Sequence, residues 1–114
     1  MSMTIERIYE LSDDLQTILV GDKPQKIIYT EIYPEKTIVD GIPSNAFVLR
    51  AKSFYKVQLS ESYSNKNFVL DSKLSACGLI YNYNQITDQL FIYNCTKNVI
   101  YIDKDYSIGS VYDG

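Results

Sequence analysis

Apolar and polar side chains alternate with a two-residue period in most of the chain after its first 25 residues. The clearest example lies at residues 54–59. There Tyr55, Val57 and Leu59 point to one side of a strand, and Lys56 and Gln58 point to the other. This alternation predicts a strand with one buried face. Runs rich in β-branched and aromatic residues predict further strands at 26–33, 37–39, 47–50, 68–70, 78–81, 89–93, 99–102 and 106–112.

Short segments of turn-forming residues separate these runs. Residues 40–44 contain Asp, Gly and Pro and are predicted to break the chain between two strands. Residues 60–66 are polar and predict a surface loop. The segment 94–98 is short and predicts a β-hairpin that joins the strands at 89–93 and 99–102. Gly109 within the last strand predicts a bulge or a close approach of another backbone.

Two interpretations stay open for the N-terminal segment, residues 1–25. Ser12, Asp13 and Asp14 can cap a short helix that runs to Leu19 and ends at Gly21. The alternative is a pair of short strands at 5–9 and 17–20. The prediction is therefore an all-β protein with either one short N-terminal helix or none.

Many short strands with regular turn signals predict a barrel or a double-sheet sandwich. Residues 1–114 contain no linker, repeat or low-complexity segment, so we expect a single domain. A chain of this length buries roughly two-thirds of its extended surface, which is enough for a core without disulfides. Closing or doubling the sheet also removes exposed strand edges.

Charge and composition exclude several classes of function. The chain has 11 basic and 14 acidic residues, which argues against nucleic acid as a partner. It contains no histidine, so zinc–imidazole sites and histidine-based triads are excluded. Cys77 and Cys95 have no metal-binding spacing and are expected to be buried free thiols. We predict no metal, no cofactor, no membrane span and no secretion signal.

The segment 71–79, Asp-Ser-Lys-Leu-Ser-Ala-Cys-Gly-Leu, resembles the active-site motif of the trimeric dUTPase and dCTP deaminase family. That motif typically reads Arg-Ser-Ser-Leu-Ala-Arg-x-Gly-Leu. The similarity extends from about residue 47 to residue 111, where 105–111 resembles the family's terminal strand. The resemblance implies a distorted jelly roll that assembles as a homotrimer, with sites at the subunit boundaries.

The charged positions of the motif are not matched. Asp71 stands where the family has its leading arginine, and Ala76 stands where it has the second. A triphosphate would meet a like charge at Asp71 instead of a counter-charge. Residues 80–85 contain no carboxylate, and the next one along the chain is Asp88. No general base is therefore positioned to activate water. The resemblance therefore implies a non-catalytic member with no catalytic residue.

Two main functions are predicted from this pattern. The first is a viral structural or assembly protein, such as a capsid decoration, tail or fibre component of a bacteriophage, located in the virion or the host cytoplasm. Its partners would be other viral structural proteins, and its eleven tyrosines would supply the contacts.

The alternative is a protein that sequesters a nucleotide or cyclic nucleotide. Tyr81 and Tyr83 would then stack on a base, and Ser72 and Lys73 would contact a phosphate. A third and weaker option is a dUTPase-like or dCTP deaminase-like hydrolase with relocated catalytic groups.

Overall fold

Ten strands and one short helix form the residues that the computed structural model describes, which are 2–11, 29–60, 66–84 and 86–113. The helix α1 (Ser72–Ala76) lies between the sixth and seventh strands. The strands are β1 (Ser2–Leu11), β2 (Tyr29–Ile32), β3 (Glu35–Val39), β4 (Ile42–Leu49), β5 (Ser53–Leu59), β6 (Lys66–Leu70), β7 (Leu79–Asn84), β8 (Gln89–Asn94), β9 (Ile100–Asp103) and β10 (Ser107–Asp113).

Seven of the strands form one antiparallel sheet that closes almost into a barrel. Its order is β6-β10-β1-β5-β8-β7, and β2 pairs with the C-terminal half of β1. The end strands β6 and β7 meet through Phe68 and Tyr81, whose ring centroids lie 5.3 Å apart. This architecture confirms the predicted all-β barrel.

The remaining strands form a smaller sheet with the order β3-β4-β9. Asp40 and Gly41 connect β3 to β4 with φ values of 54° and 79°, as a two-residue hairpin turn with positive φ at both positions requires. The prediction of a break is thus right for residues 40–41. It is wrong for residues 42–44, because these residues continue the hairpin as the start of β4.

The core lies where the two sheets face each other, and its residues come from nearly every strand. In β5 the predicted alternation is confirmed, since Tyr55 and Val57 are buried while Gln58 is exposed. A bulge at Glu6 shifts the pairing of β1 with β5 by one residue. This bulge lets both Ile5 and Ile8 reach the core, although they are separated by an odd number of positions.

The hairpin predicted between residues 89–93 and 99–102 is wrong. Both strands exist, but β8 pairs with β5 and β7, whereas β9 pairs with β4 in the other sheet. Because β5 and β7 already occupy both edges of β8, β9 cannot pair with β8. Residues 94–98 instead carry the chain from one sheet to the other.

At the N-terminus the strand at residues 5–9 is confirmed as part of β1. The alternative helix from Ser12 to Leu19, the strand at 17–20 and most of the predicted loop at 60–66 lie outside the described residues. Cys77 is exposed, so its predicted burial is wrong, and both cysteines are free thiols. Within the described ranges, no helix has the length and apolar character needed to cross a bilayer.

Candidate functional site

Asp71, at the start of the motif segment, caps helix α1. One of its carboxylate oxygens accepts hydrogen bonds from the backbone N–H groups of Lys73 at 3.2 Å and Leu74 at 3.4 Å. The Tyr106 hydroxyl donates to the same oxygen at 2.7 Å, and this bond raises the pKa of Tyr106. Asp71 therefore satisfies N–H groups that every helix leaves unpaired at its first turn. The Asp71 carboxylate therefore lies at the N-terminal end of α1 and is bonded within its own chain.

Gly78 ends the motif segment with φ at 101°, a conformation that side-chain-bearing residues rarely adopt. A Cβ atom at this position would lie 2.2 Å from Cγ2 of Thr96. The Cys95 thiol also donates to the Gly78 carbonyl, with 2.9 Å between the sulfur and the oxygen. The glycine shared with the dUTPase-like motif is thus required here by backbone conformation and close packing.

Three of the four candidate ligand-binding residues, Lys73, Tyr81 and Tyr83, line two different grooves, and Ser72 precedes Lys73 on α1. Ser72 and Lys73 are exposed on α1, and Lys73 lines a groove of about 360 Å³ between α1 and the β3–β4 hairpin. Tyr81 and Tyr83 line a second groove of about 590 Å³ beside the junction of β6 and β7. The structure therefore brings the residues together in pairs and does not unite the base-stacking pair with the phosphate-contacting pair.

The rings of Tyr81 and Tyr83 pack on Phe68, with centroid distances of 5.3 and 5.7 Å. The Tyr81 hydroxyl donates to the Phe68 carbonyl at 3.2 Å, and the Tyr83 hydroxyl donates to the Asp88 carboxylate at 2.7 Å. In the single chain, both tyrosines hold the open side of the barrel together. This structural role engages the same rings and hydroxyls that ligand binding would use.

The pKa of Tyr83 predicts how stability depends on alkaline pH. Burial and the hydrogen bond to Asp88 raise this pKa to about 12. An unfolded tyrosine titrates near pH 10, so the folded state holds this proton more tightly. The resulting stabilisation is complete below about pH 10 and is lost as the pH rises towards 12. We expect Tyr83→Phe to flatten the fall in unfolding free energy over that interval, as measured by urea denaturation.

Tyr112→Phe serves as the control for this prediction, because Tyr112 is exposed on the last strand. Tyr55 and Tyr106 also have raised pKa values. The difference between variants, and not the total slope, is therefore the quantity to compare. A Tyr83→Phe slope equal to that of the parent protein would show that Tyr83 does not hold its proton as inferred.

No metal site is found in the part of the chain that the structure describes, and the candidate carboxylates Asp71 and Asp88 have structural partners. No three His, Cys, Asp or Glu side chains there lie close enough together to hold a metal ion. Asp71 is bonded to α1 and Tyr106, while Asp88 is bonded to Tyr83 beside the other groove. Each carboxylate thus accepts a hydrogen bond from a different tyrosine.

Asn94 is the buried polar residue whose role the sequence reasoning missed. Its side chain is 0% exposed, and all of its hydrogen-bonding groups are used. It donates to the carbonyls of Leu49 and Asn98, and its oxygen accepts from the backbone N–H and the hydroxyl of Thr96. An asparagine at a strand end followed two residues later by threonine is typical of an Asx turn, and that pattern was the available signal.

No protein-family model, curated protein or solved structure significantly matches this chain. The resemblance to the dUTPase and dCTP deaminase family stays a prediction, which depends on the motif at 71–79 and the order of the strands that follow it.

Proposed function

We propose that this chain is a non-catalytic β-barrel module that acts through contacts with proteins, as a structural or assembly component of a virus particle. It self-associates as a homotrimer and serves as a decoration, tail or fibre protein. The observation that carries the proposal is the capping role of Asp71. In a nucleotide enzyme of the family that this chain resembles, position 71 would have to be a cation. Here it is Asp71, an anion that is hydrogen-bonded within its own chain.

The chemistry around α1 supports a role without catalysis. Ala76 is exposed and brings no charge to the position of the second arginine. The Asp88 carboxylate accepts a hydrogen bond from Tyr83 and so stabilises the turn between β7 and β8. A general base must reach the proton that it abstracts, and this carboxylate already has a tyrosine hydroxyl as its partner.

The exposed apolar surface supports a role in protein contacts. Single exposed apolar residues are ordinary, but here they gather on defined surfaces. Ile80 lies on the outer face of β7 beside Phe54 and Tyr93, whose rings stack with centroids 4.1 Å apart. Ile38 and Ile42 project from the β3–β4 hairpin. Aromatic side chains are enriched at protein interfaces because they bury a large apolar area and keep a polar tip.

Light scattering coupled to size-exclusion chromatography tests the self-association. We expect a mass three times that of the chain at micromolar concentration. A stable monomer would contradict the trimer. Mass spectrometry of purified virus particles that encode the chain then tests the structural role, for which we expect the protein in stoichiometric amounts within the particle.

Thermal melting with nucleotides separates the structural role from the sequestering role. Because Asp71 and Ala76 supply no counter-charge, we expect the melting temperature to stay unchanged with millimolar dUTP or dCTP and magnesium. A ligand that binds only the folded state raises the melting temperature, and the stabilisation grows with the logarithm of the ligand concentration relative to its Kd. An increase of several degrees would contradict the structural role and favour nucleotide binding at Lys73 or Tyr81.

A further inference from the structure

The hairpin arm, defined here as β3 with residues 40–45, has one strand edge that no described strand covers. β3 is the last strand of the smaller sheet, and β4 is its one partner among the described strands. Its outer edge carries backbone groups that no described strand pairs, and such groups can pair with another chain. Edge strands are usually protected by charge, proline or a covering segment. In β3 the charges of Glu35 and Lys36 lie at the start of the strand, and Ile38 near its end stays exposed.

The turn at Asp40 and Gly41 determines which backbone groups face outwards. In a two-residue hairpin the flanking residues, here Val39 and Ile42, form the closing hydrogen-bonded pair. Thr37 then also bonds to β4, because hydrogen-bonded pairs alternate along an antiparallel ladder. The N–H and C=O groups of Lys36 and Ile38 consequently point away from β4. Pro43, which has no N–H group, lies opposite Ile38, where β4 needs no bond to β3.

The side chains on this edge are unusually exposed for apolar residues. Ile38 is 75% exposed, and Ile42 on the other face of the arm is 66% exposed. Lys36 and Ile38 alternate with Thr37 and Val39, so these two project on one face. Asp40 follows in the turn, with φ at 54°. The edge therefore presents a cation and an isoleucine along the strand, and an anion in the turn that follows.

We propose that β3 pairs with β3 of a second copy of this chain, antiparallel and about a two-fold axis at Ile38. A two-fold axis perpendicular to a sheet requires one residue to lie opposite itself. Only Lys36, Thr37 and Ile38 are central enough to occupy that position. The choice among them follows from the side chains that each register brings together.

The register centred on Ile38 is favoured by charge. It places Ile38 opposite Ile38 and brings Lys36 beside Asp40 of the second copy, twice by symmetry. A centre at Lys36 would set two ammonium groups opposite each other, which is destabilising. A centre at Thr37 would pair each Lys36 with an isoleucine and leave Asp40 without a partner across the contact.

Backbone geometry agrees with the Ile38 register. The outward N–H and C=O groups of Ile38 can form two reciprocal hydrogen bonds with those of the second copy. The contact is much smaller than the roughly 1,200–2,000 Å² of a stable interface. One such contact is therefore weak, and the total affinity increases where several arms pair within one assembly. In this respect the inference deepens the proposed assembly role, although its register does not depend on a trimer.

Disulfide trapping tests the register. In a Cys77→Ser background, Ile38→Cys should form a cross-linked dimer under mild oxidation, seen on non-reducing gels and by intact mass. Directly opposed residues have Cα atoms about 5.5 Å apart, within the range of a disulfide. The matched control is Thr37→Cys, which lies diagonal to its own copy at about 7–8 Å. We expect Ile38→Cys to cross-link at least tenfold faster. Equal rates, a faster Thr37→Cys or no dimer would overturn the proposal.

A charge variant tests the Lys36–Asp40 contact in the same assay. Lys36→Glu added to Ile38→Cys should slow cross-linking several-fold, because each introduced carboxylate faces Asp40. Adding Asp40→Asn should restore part of the rate, since asparagine tolerates the positive φ of this turn. An unchanged rate in both variants would overturn the proposed pairing of charges and, with it, the register.

The outcomes for the arm and for the trimer are separate. A trimer in light scattering without Ile38→Cys cross-links would overturn only the edge pairing. A monomeric parent protein whose Ile38→Cys variant cross-links selectively would overturn only the trimer. Since Ile38 is highly exposed, its replacement should leave the circular dichroism spectrum unchanged.

Discussion

Asn94→Ala is expected to lower the free energy of unfolding by about 3–5 kcal/mol. The Asn94 amide group donates to the Leu49 carbonyl at 3.0 Å and to the Asn98 carbonyl at 2.8 Å. Its oxygen accepts from the Thr96 hydroxyl at 2.7 Å and from the Thr96 N–H at 3.1 Å. Alanine would leave several of these groups buried without partners, and each costs about 1–3 kcal/mol.

Urea denaturation followed by circular dichroism measures this loss as a shift of the midpoint. Asn98→Ala is the matched control, because Asn98 is exposed and contributes only backbone groups, its carbonyl and its N–H, to the network. We expect the control to stay within about 0.5 kcal/mol of the parent protein. A loss of the same size in both variants would show that the turn, and not the buried amide, is the sensitive element.

Gly78→Ala is expected to cost about 3–5 kcal/mol of unfolding free energy, from backbone strain and overpacking together. At φ of 101° an alanine is strained whatever the space around it. Its Cβ would also lie 2.2 Å from Cγ2 of Thr96. Thr96 cannot rotate away freely, since its hydroxyl is held by Asn94 at 2.7 Å and by the Asn98 carbonyl at 2.9 Å.

Two further variants separate the causes of this loss. Gly41→Ala has a similar backbone constraint, with φ at 79°, but no atom lies within 4 Å of its added Cβ. It should cost only about 1–2 kcal/mol. Thr96→Ser removes Cγ2 and keeps the hydroxyl, so in the Gly78→Ala background it should recover part of the stability. Failure of Thr96→Ser to recover any stability would attribute the whole effect to the backbone.

Asn94, Thr96 and Gly78 together explain why the predicted hairpin fails. The Asx turn at Asn94 joins β8 to β4 through the Leu49 carbonyl, although the two residues are 45 positions apart. The local sequence at 94–98 is compatible with a hairpin. The chain instead crosses between the sheets because Asn94 finds its partner on β4, and a local turn pattern carries no information about that distant carbonyl.

The motif segment is a second case in which local and tertiary information differ. The predicted resemblance to the dUTPase-like motif places Asp71 at the position of an arginine, which describes only what the residue would lack. The structure adds that Asp71 caps α1 and binds Tyr106, which lies 35 positions away. Similarly, Lys73 and Tyr81 are close in sequence but line different grooves, because β7 leads the chain away from α1.

The sequence by itself determined the strand character of this protein and the close approach of another backbone at Gly109. Alternation in β5 and the β-branched runs are local properties, since each side chain's face follows from its position in the strand. Gly109 was predicted as a point of close approach, and a Cβ there would lie 2.5 Å from the Phe68 ring and the Val69 carbonyl oxygen.

Only the tertiary structure decided which strands pair, where the candidate residues gather and which edge stays open. These features depend on contacts between residues that are distant along the chain, such as β1 with β10 and β4 with β9. Antiparallel strands of similar composition can pair in many orders, so local preference does not select one. The selection comes from burying a common core and from satisfying the polar groups, such as Asn94, that the core encloses.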